Sequence, residues 1–288
     1  MSAMVPTSLR TAARPAGATL LLPLLLSLGA CASHGATNGA APGFEVEGHA
    51  VRYAANGAEL TGYLASPIGA EGDRPGILVV HEWWGHDEYA RRRARELAQL
   101  GYVAFALDMY GTGKSATHPK DATAFMEEVM GNADTMEARF RAALTALHAA
   151  PGVDVERTGA IGYCMGGGIV LRMARATDTL DFAASFHGSL GAALGAGDAG
   201  GVKRVFIAHG ADDPFVSMET LHDLTTELRA MPGIESVTVG IYPGAVHGFT
   251  NPEATQRGEE FGLPLRYDAA ADAESWATLT AELRASFE

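Results

Sequence analysis

This chain is short of basic residues, of cysteine and of long apolar runs, and each shortage closes off a class of function. It carries 21 Lys and Arg against 34 Asp and Glu, for a formal charge of −13. Residues 1–30 hold Arg10 and Arg14 and no acid, so the remainder has 19 basic and 34 acidic groups, or −15. A surface that negative repels phosphate backbones, and no basic cluster interrupts it, so nucleic acid is excluded as a partner. The longest apolar stretch near the start, Ala18 to Leu28, is too short to cross a bilayer comfortably as a permanent helix. There is no internal repeat and no interior linker to divide the chain. Its 288 residues therefore suit one large domain. Only two cysteines are present, Cys31 and Cys164.

The first thirty residues read as a targeting segment, with a basic start at Arg10 and Arg14 and the apolar run behind it. The run ends in Leu28-Gly29-Ala30-Cys31, which resembles a bacterial lipobox. That resemblance implies that residues 1–30 are a lipoprotein signal peptide and that Cys31 becomes the lipidated N-terminus. Stable anchoring needs more than one acyl chain, which a diacylated cysteine supplies. Residues 31–43, rich in Ala, Gly, Ser, Thr and Asn, read as a flexible tether. With Ala at position 32, the sorting rule for such lipoproteins implies export to the periplasmic side of the outer membrane. The membrane is then met only through the lipid anchor. Lipidation of Cys31 also leaves Cys164 without an intramolecular partner in an oxidising compartment, which calls for either deep burial or chemistry.

From Phe44 the pattern is regular. Phe44 to Tyr53 and Glu59 to Ala65 predict two strands joined through the hairpin signal Asn56-Gly57. Gly76 to Val80 is a continuous apolar run, expected of a strand buried on both faces. Tyr89 to Leu100 predicts a helix whose Arg91, Arg92, Arg93 and Arg95 face solvent. Strands are predicted at 102–107, 157–161, 182–186, 204–208 and 236–242. Helices are predicted at 121–130, 133–149, 168–176, 217–230 and 268–287. Alternation after an initial hairpin implies a mostly parallel, doubly wound α/β sheet. Two metal and phosphate motifs fail on spacing. His81-Glu82-Trp83-Trp84-Gly85-His86 is one residue too long for a zinc-binding H-E-x-x-H helix. Gly111-Thr112-Gly113-Lys114-Ser115 lacks the first glycine of a P-loop, where Asp108 stands. No cofactor is indicated.

The chemistry-bearing run is Ile161-Gly162-Tyr163-Cys164-Met165-Gly166-Gly167. It reads as a nucleophile elbow, G-x-C-x-G, between a predicted strand and helix. Flanking glycines leave room at a turn where any side chain would clash. Ala208-His209-Gly210-Ala211-Asp212-Asp213-Pro214-Phe215-Val216 then offers an acid after a buried strand. Tyr242-Pro243-Gly244-Ala245-Val246-His247-Gly248-Phe249 offers a histidine after the last strand. Nucleophile, acid and histidine follow in the chain order of α/β-hydrolases, each after a strand. In such a set the histidine is the base and later the acid, and the carboxylate fixes its tautomer.

These motifs resemble those of the dienelactone hydrolase family, over nearly all of the domain from residue 44 to 288. G-Y-C-x-G-G falls at Gly162 to Gly167. G-x-x-D-x-x-V falls at Gly210, Asp213 and Val216, favouring Asp213 over Asp212. G-x-x-H-x-F falls at Gly244, His247 and Phe249. The resemblance implies an α/β-hydrolase fold with an N-terminal antiparallel hairpin. It also implies a Cys164–Asp213–His247 triad and acyl transfer on an ester or lactone. Glu82, within Val79-Val80-His81-Glu82-Trp83-Trp84-Gly85, matches a family glutamate. By that likeness it contacts the resting cysteine, and substrate binding moves it to help form the thiolate. The backbone N–H groups of Met165 and Trp83 are the implied oxyanion donors. Two family arginines that hold a carboxylated lactone are missing, with Thr112 and Asn251 in their places. Trp83, Trp84, Tyr110 and Phe249 therefore suggest an apolar pocket and a neutral small-molecule substrate. A broader esterase or amide hydrolase, and a non-catalytic binding lipoprotein, remain the alternatives.

Overall fold

The computed structural model describes residues 43–197 and 200–288. The signal segment, Cys31 and the tether as far as residue 42 lie outside the described residues.

Two strands open the domain, β1 (Val46–Ala55) and β2 (Ala58–Pro67), paired antiparallel in full register from Val46 with Pro67 to Ala55 with Ala58. Asn56 and Gly57 close the hairpin with φ of 50° and 77°, the left-handed pair that a two-residue type I′ turn requires. The remaining strands are β3 (Arg74–Val80), β4 (Val103–Leu107), β5 (Val153–Tyr163), β6 (Phe182–Phe186), β7 (Arg204–Gly210) and β8 (Ser236–Tyr242). They form one eight-stranded sheet in the order β1-β2-β4-β3-β5-β6-β7-β8. β2 meets β4 antiparallel, and every later pairing is parallel.

Helices α1 (Glu88–Gln99), α2 (Pro119–Met130), α3 (Ala133–His148), α4 (Met165–Ala176), α5 (Met218–Ala230), α6 (Ala254–Phe261) and α7 (Ala269–Phe287) cover the sheet. Alternation along β3 shows how two cores arise. Leu78 and Val80 pack with Phe140 and Ile169, whereas Ile77 and Val79 pack with Leu97 and Leu279. All four β3 side chains are fully buried, each stabilising by about 1.5–3 kcal/mol relative to exposure. A strand so enclosed has no polar face, hence its unbroken apolar sequence.

Two features depart from the sequence expectation. Helix α6, eight residues long with only Ala254 and Gly258 buried, went unpredicted. Arg93 does not join the solvent face of α1. It is 4% exposed, on the same face as Tyr89 and Leu97 one turn either side. Its guanidinium is ion-paired with Asp272, donates to the Thr250 carbonyl at 3.0 Å, and lies over the rings of Tyr89, Tyr163 and Trp276. A buried charge with that many partners is tolerated where a bare one is not.

Candidate active site

The parallel strands all end on one edge of the sheet, and the sequence-predicted residues follow those ends, as ligand crevices do in open α/β sheets. β5 stops at Tyr163 and α4 starts at Met165, so Cys164 alone makes the turn. Its backbone has φ 53° and ψ −120°, a left-handed conformation that costs a non-glycine residue about 1–3 kcal/mol. The turn is held from outside. Cys164 N–H donates to the Phe186 carbonyl at 3.1 Å, and its carbonyl accepts from Gly167 and Ser189 at 3.1 and 2.9 Å. A Cβ on Gly162 would lie 2.2 Å from the Gly166 carbonyl oxygen, and one on Gly166 would lie 2.5 Å from that of Val80. Both contacts are with backbone, so the glycines are required by close approach. Cys164 is a free thiol and half-buried.

Asp213 and His247 meet beside it. His247 Nδ1 lies 2.8 Å from Asp213 Oδ2. The other Asp213 oxygen accepts the Phe215 N–H at 2.8 Å. Asp212, by contrast, is exposed. Burial works against charge on His247, but the Cys164 sulfur and Asp213, by charge and by hydrogen bonds, outweigh it and push the imidazole up to about 10. The arrangement therefore favours the protonated imidazolium beside Cys164 and Asp213.

Glu82 departs from the expectation. It is buried and accepts the Asn251 amide at 2.6 Å. No hydrogen bond joins it to Cys164 among the described residues. The Asn251 bond is what holds it instead. Burial, and then the charge of Asp87, raise its carboxyl to about 7 against the lowering effect of Asn251.

The proposed oxyanion donors flank this centre. Met165 is the first residue of α4, and Trp83 follows Glu82 on the loop after β3. Neither N–H donates to a backbone carbonyl among the described residues. The proposed pocket residues are placed differently from the expectation. Phe249 is fully buried in the core under α1 and α7. Tyr110 is buried, its hydroxyl donating to the Trp83 carbonyl at 2.9 Å. Trp84 is buried between Trp83, Phe261 and the Arg257 guanidinium. Their aromatic faces went to packing, so none presents surface to a ligand. Thr112 bonds Thr61 through hydroxyls 2.8 Å apart.

Two side chains at the site went unpredicted. Phe215, two residues past the acid, is 57% exposed and stands against His247. His187 follows β6, is fully buried with φ 38°, and shares a 2.7 Å hydrogen bond with Thr250. Its ring centroid is 5.3 Å from that of His247, and its Nε2 is 4.0 Å from Glu82. Its one sequence signal was its place directly after a buried strand. Among the described residues no group of three or more His, Cys, Asp or Glu is placed to hold a metal ion.

The sequence profile of the dienelactone hydrolase family matches residues 60–287. Protein usf of Aquifex pyrophilus is 30% identical over 210 residues, 71% of this chain and 87% of that protein. A dienelactone hydrolase-like promiscuous phosphotriesterase from metagenomic libraries superposes with a TM-score of 0.74 at 31% identity, over 84% of this chain and 99% of the other. A dienelactone hydrolase from Anabaena variabilis reaches a TM-score of 0.57 at 17% identity, covering 84% of this chain and 99% of its own. That last likeness is one of fold alone.

Proposed function

This chain belongs to the dienelactone hydrolase family and is a carboxylic ester hydrolase, and we propose that it cleaves a neutral ester or lactone through a thioester on Cys164. The observation that carries the mechanism is the Asp213–His247 pair at 2.8 Å beside the elbow cysteine. The Cys164 sulfur attacks the carbonyl carbon. The oxyanion is met by the N–H groups of Met165 and Trp83, where losing one donor typically costs ~3 kcal/mol of transition-state stabilisation. His247, held in one tautomer by Asp213, gives its proton to the departing alkoxide as the tetrahedral species collapses to thioester. It then takes a proton from water, whose oxygen attacks the thioester and releases acid and thiolate. The N-terminal position of Met165 on α4 favours negative charge at that point.

The neutral character of the substrate rests on Thr112 and Asn251. Neither can form a charged fork on a carboxylate, and Asn251 is already committed to Glu82. A second reading, phosphotriester hydrolysis at the same cysteine, is favoured by the 31% identity to the promiscuous phosphotriesterase. Hydrolysis of p-nitrophenyl acetate, a lactone panel, 4-carboxymethylenebutenolide and a dialkyl aryl phosphate by residues 43–288 and by Cys164→Ala tests both. Rates equal in the two proteins sink the cysteine mechanism. Near-diffusive turnover of the carboxylated lactone sinks the neutral-substrate assignment. Anchoring through Cys31 is a separate part of the proposal. It predicts incorporation of a labelled fatty acid in cells that Cys31→Ser abolishes.

A further inference from the structure

Asn251 is 1% exposed and its side chain is bound at both ends. Oδ1 accepts the backbone N–H of Glu253 at 3.0 Å, and Nδ2 donates to Glu82 Oε2 at 2.6 Å. Because a backbone N–H can only donate, the amide cannot flip, and Nδ2 must be the end that faces Glu82. A neutral donor has a particular consequence there. An ionised carboxylate accepts the bond, and so does the carbonyl oxygen of a protonated carboxyl. A guanidinium or ammonium in the same place would fix Glu82 as the anion.

We infer that Asn251 is a positioning residue, one that fixes Glu82 in place beside His187 and the triad while leaving the charge of its carboxyl free to change. The inference rests on the hydrolase reading for its consequence but not for its geometry. The titratable and charged groups facing Glu82 come from five elements. Asp87 lies on its own loop and Tyr89 on α1. His187 follows β6 at 4.0 Å. His247 lies on the histidine loop and Arg257 on α6. With burial opposing its charge, Glu82 titrates near the middle of the physiological range, at about 7. Its charge interacts with that of His247, as a smaller contribution than those of Cys164 and Asp213, and so enters the rate.

The direct readout is the infrared C=O band of the protonated Glu82 carboxyl, identified by its loss in Glu82→Gln and followed against pH in the full chain. Asn251→Ala removes a donor to the anion, and the midpoint rises by about half to one pH unit. Asn251→Asp keeps the acceptor for Glu253 and nearly the same shape, so it guards against a variant that fails to fold. It also sets a second carboxylate against Glu82, and its midpoint rises further. The kcat/KM profile on a p-nitrophenyl ester shifts with the infrared midpoint. Midpoints unmoved in both variants, with activity lost uniformly across pH, overturn the inference and leave Asn251 a packing residue. An active Cys164→Ala overturns the cysteine mechanism instead, and the infrared titration still decides the role of Asn251.

Discussion

The Phe215 ring stands edge-on to the His247 imidazole, with centroids 5.1 Å apart and planes at 81°, although Phe215 is 57% exposed. Its own backbone N–H is bonded to Asp213 at 2.8 Å. One residue thus braces the acid through its backbone and screens the base with its side chain. An aromatic pair of this kind contributes about 0.5–1.5 kcal/mol beyond area burial. Phe215→Ala keeps the backbone bond and exposes the Asp213–His247 pair to water. It is expected to lower kcat/KM on a p-nitrophenyl ester by about two- to tenfold and stability by about 0.5–1.5 kcal/mol. An unchanged kcat/KM contradicts a role for the ring.

Acid should destabilise this protein below about pH 6.5 through its buried imidazoles. Burial is the largest cause lowering His81, His86 and His187, with His86 brought to about 3 and His187 held well below its ordinary 6.5. The unfolded chain takes up these three protons as pH falls through 6.5, and the native state refuses them. Stability from these groups is fully present above that pH and lost below it. Glu82 acts in the opposite sense. Raised from 4.5 to about 7, it keeps one proton that the unfolded chain has released over the same interval. His247, raised from 6.5 to about 10, holds its proton in the native state throughout, and the unfolded chain matches it only once pH has fallen below 6.5. Toward pH 5.5 the unfolded state is therefore left with a net excess of about two protons, each contributing up to ~1.4 kcal/mol per pH unit. Urea midpoints should fall between pH 7 and pH 5.5. Equal midpoints at the two values contradict the burial of neutral imidazoles.

The Cys164 sulfur also controls how His247 titrates. Burial alone would lower the imidazole, and the first of the causes that raise it to about 10 is the charge on Cys164. Cys164→Ser keeps the size and removes the sulfur. Asp213 then remains as a raising partner, so the titration moves down without reaching that of a bare buried histidine. Imidazole NMR resonances followed against pH should show His247 protonated to about pH 10 in the native protein and losing its proton earlier in the serine variant. Superimposable titrations exclude the Cys164 sulfur as the partner that raises His247.

The sheet and the grouping of Cys164, Asp213 and His247 were legible in the sequence for different reasons. β3 and β6 showed because a strand buried on both faces has no polar residue to obscure it. The elbow showed because a tight strand-to-helix turn tolerates only glycine beside its apex, which leaves a fixed pattern. The surroundings were not legible, since they depend on which side chains meet across the sheet edge. Asn251 read as a missing arginine, yet its amide is the donor to Glu82, 169 residues earlier in the chain. Arg93 read as one of a wet run because its partners, Asp272 on α7 and Thr250 on the loop after β8, lie far along the chain. Phe249 lies next to the catalytic loop in sequence and inside the core in space. Aromatic residues near a motif do not announce which way they face.

The elbow also predicts an unusual pair of stabilities at Cys164 itself. With φ 53° and ψ −120°, Cys164 holds a conformation natural to glycine and strained for any residue with a Cβ. Cys164→Ala removes the sulfur and keeps the strain, whereas Cys164→Gly removes both. Glycine gives back about 0.5–1 kcal/mol in chain entropy, against relief of about 1–3 kcal/mol of backbone strain. The glycine variant should therefore be the more stable of the two, by about 1 kcal/mol, although both lack the nucleophile. Urea denaturation of the two variants side by side measures the difference. An alanine variant as stable as the glycine one means that the turn stores no strain and that bonds from Phe186, Gly167 and Ser189 define its shape unopposed.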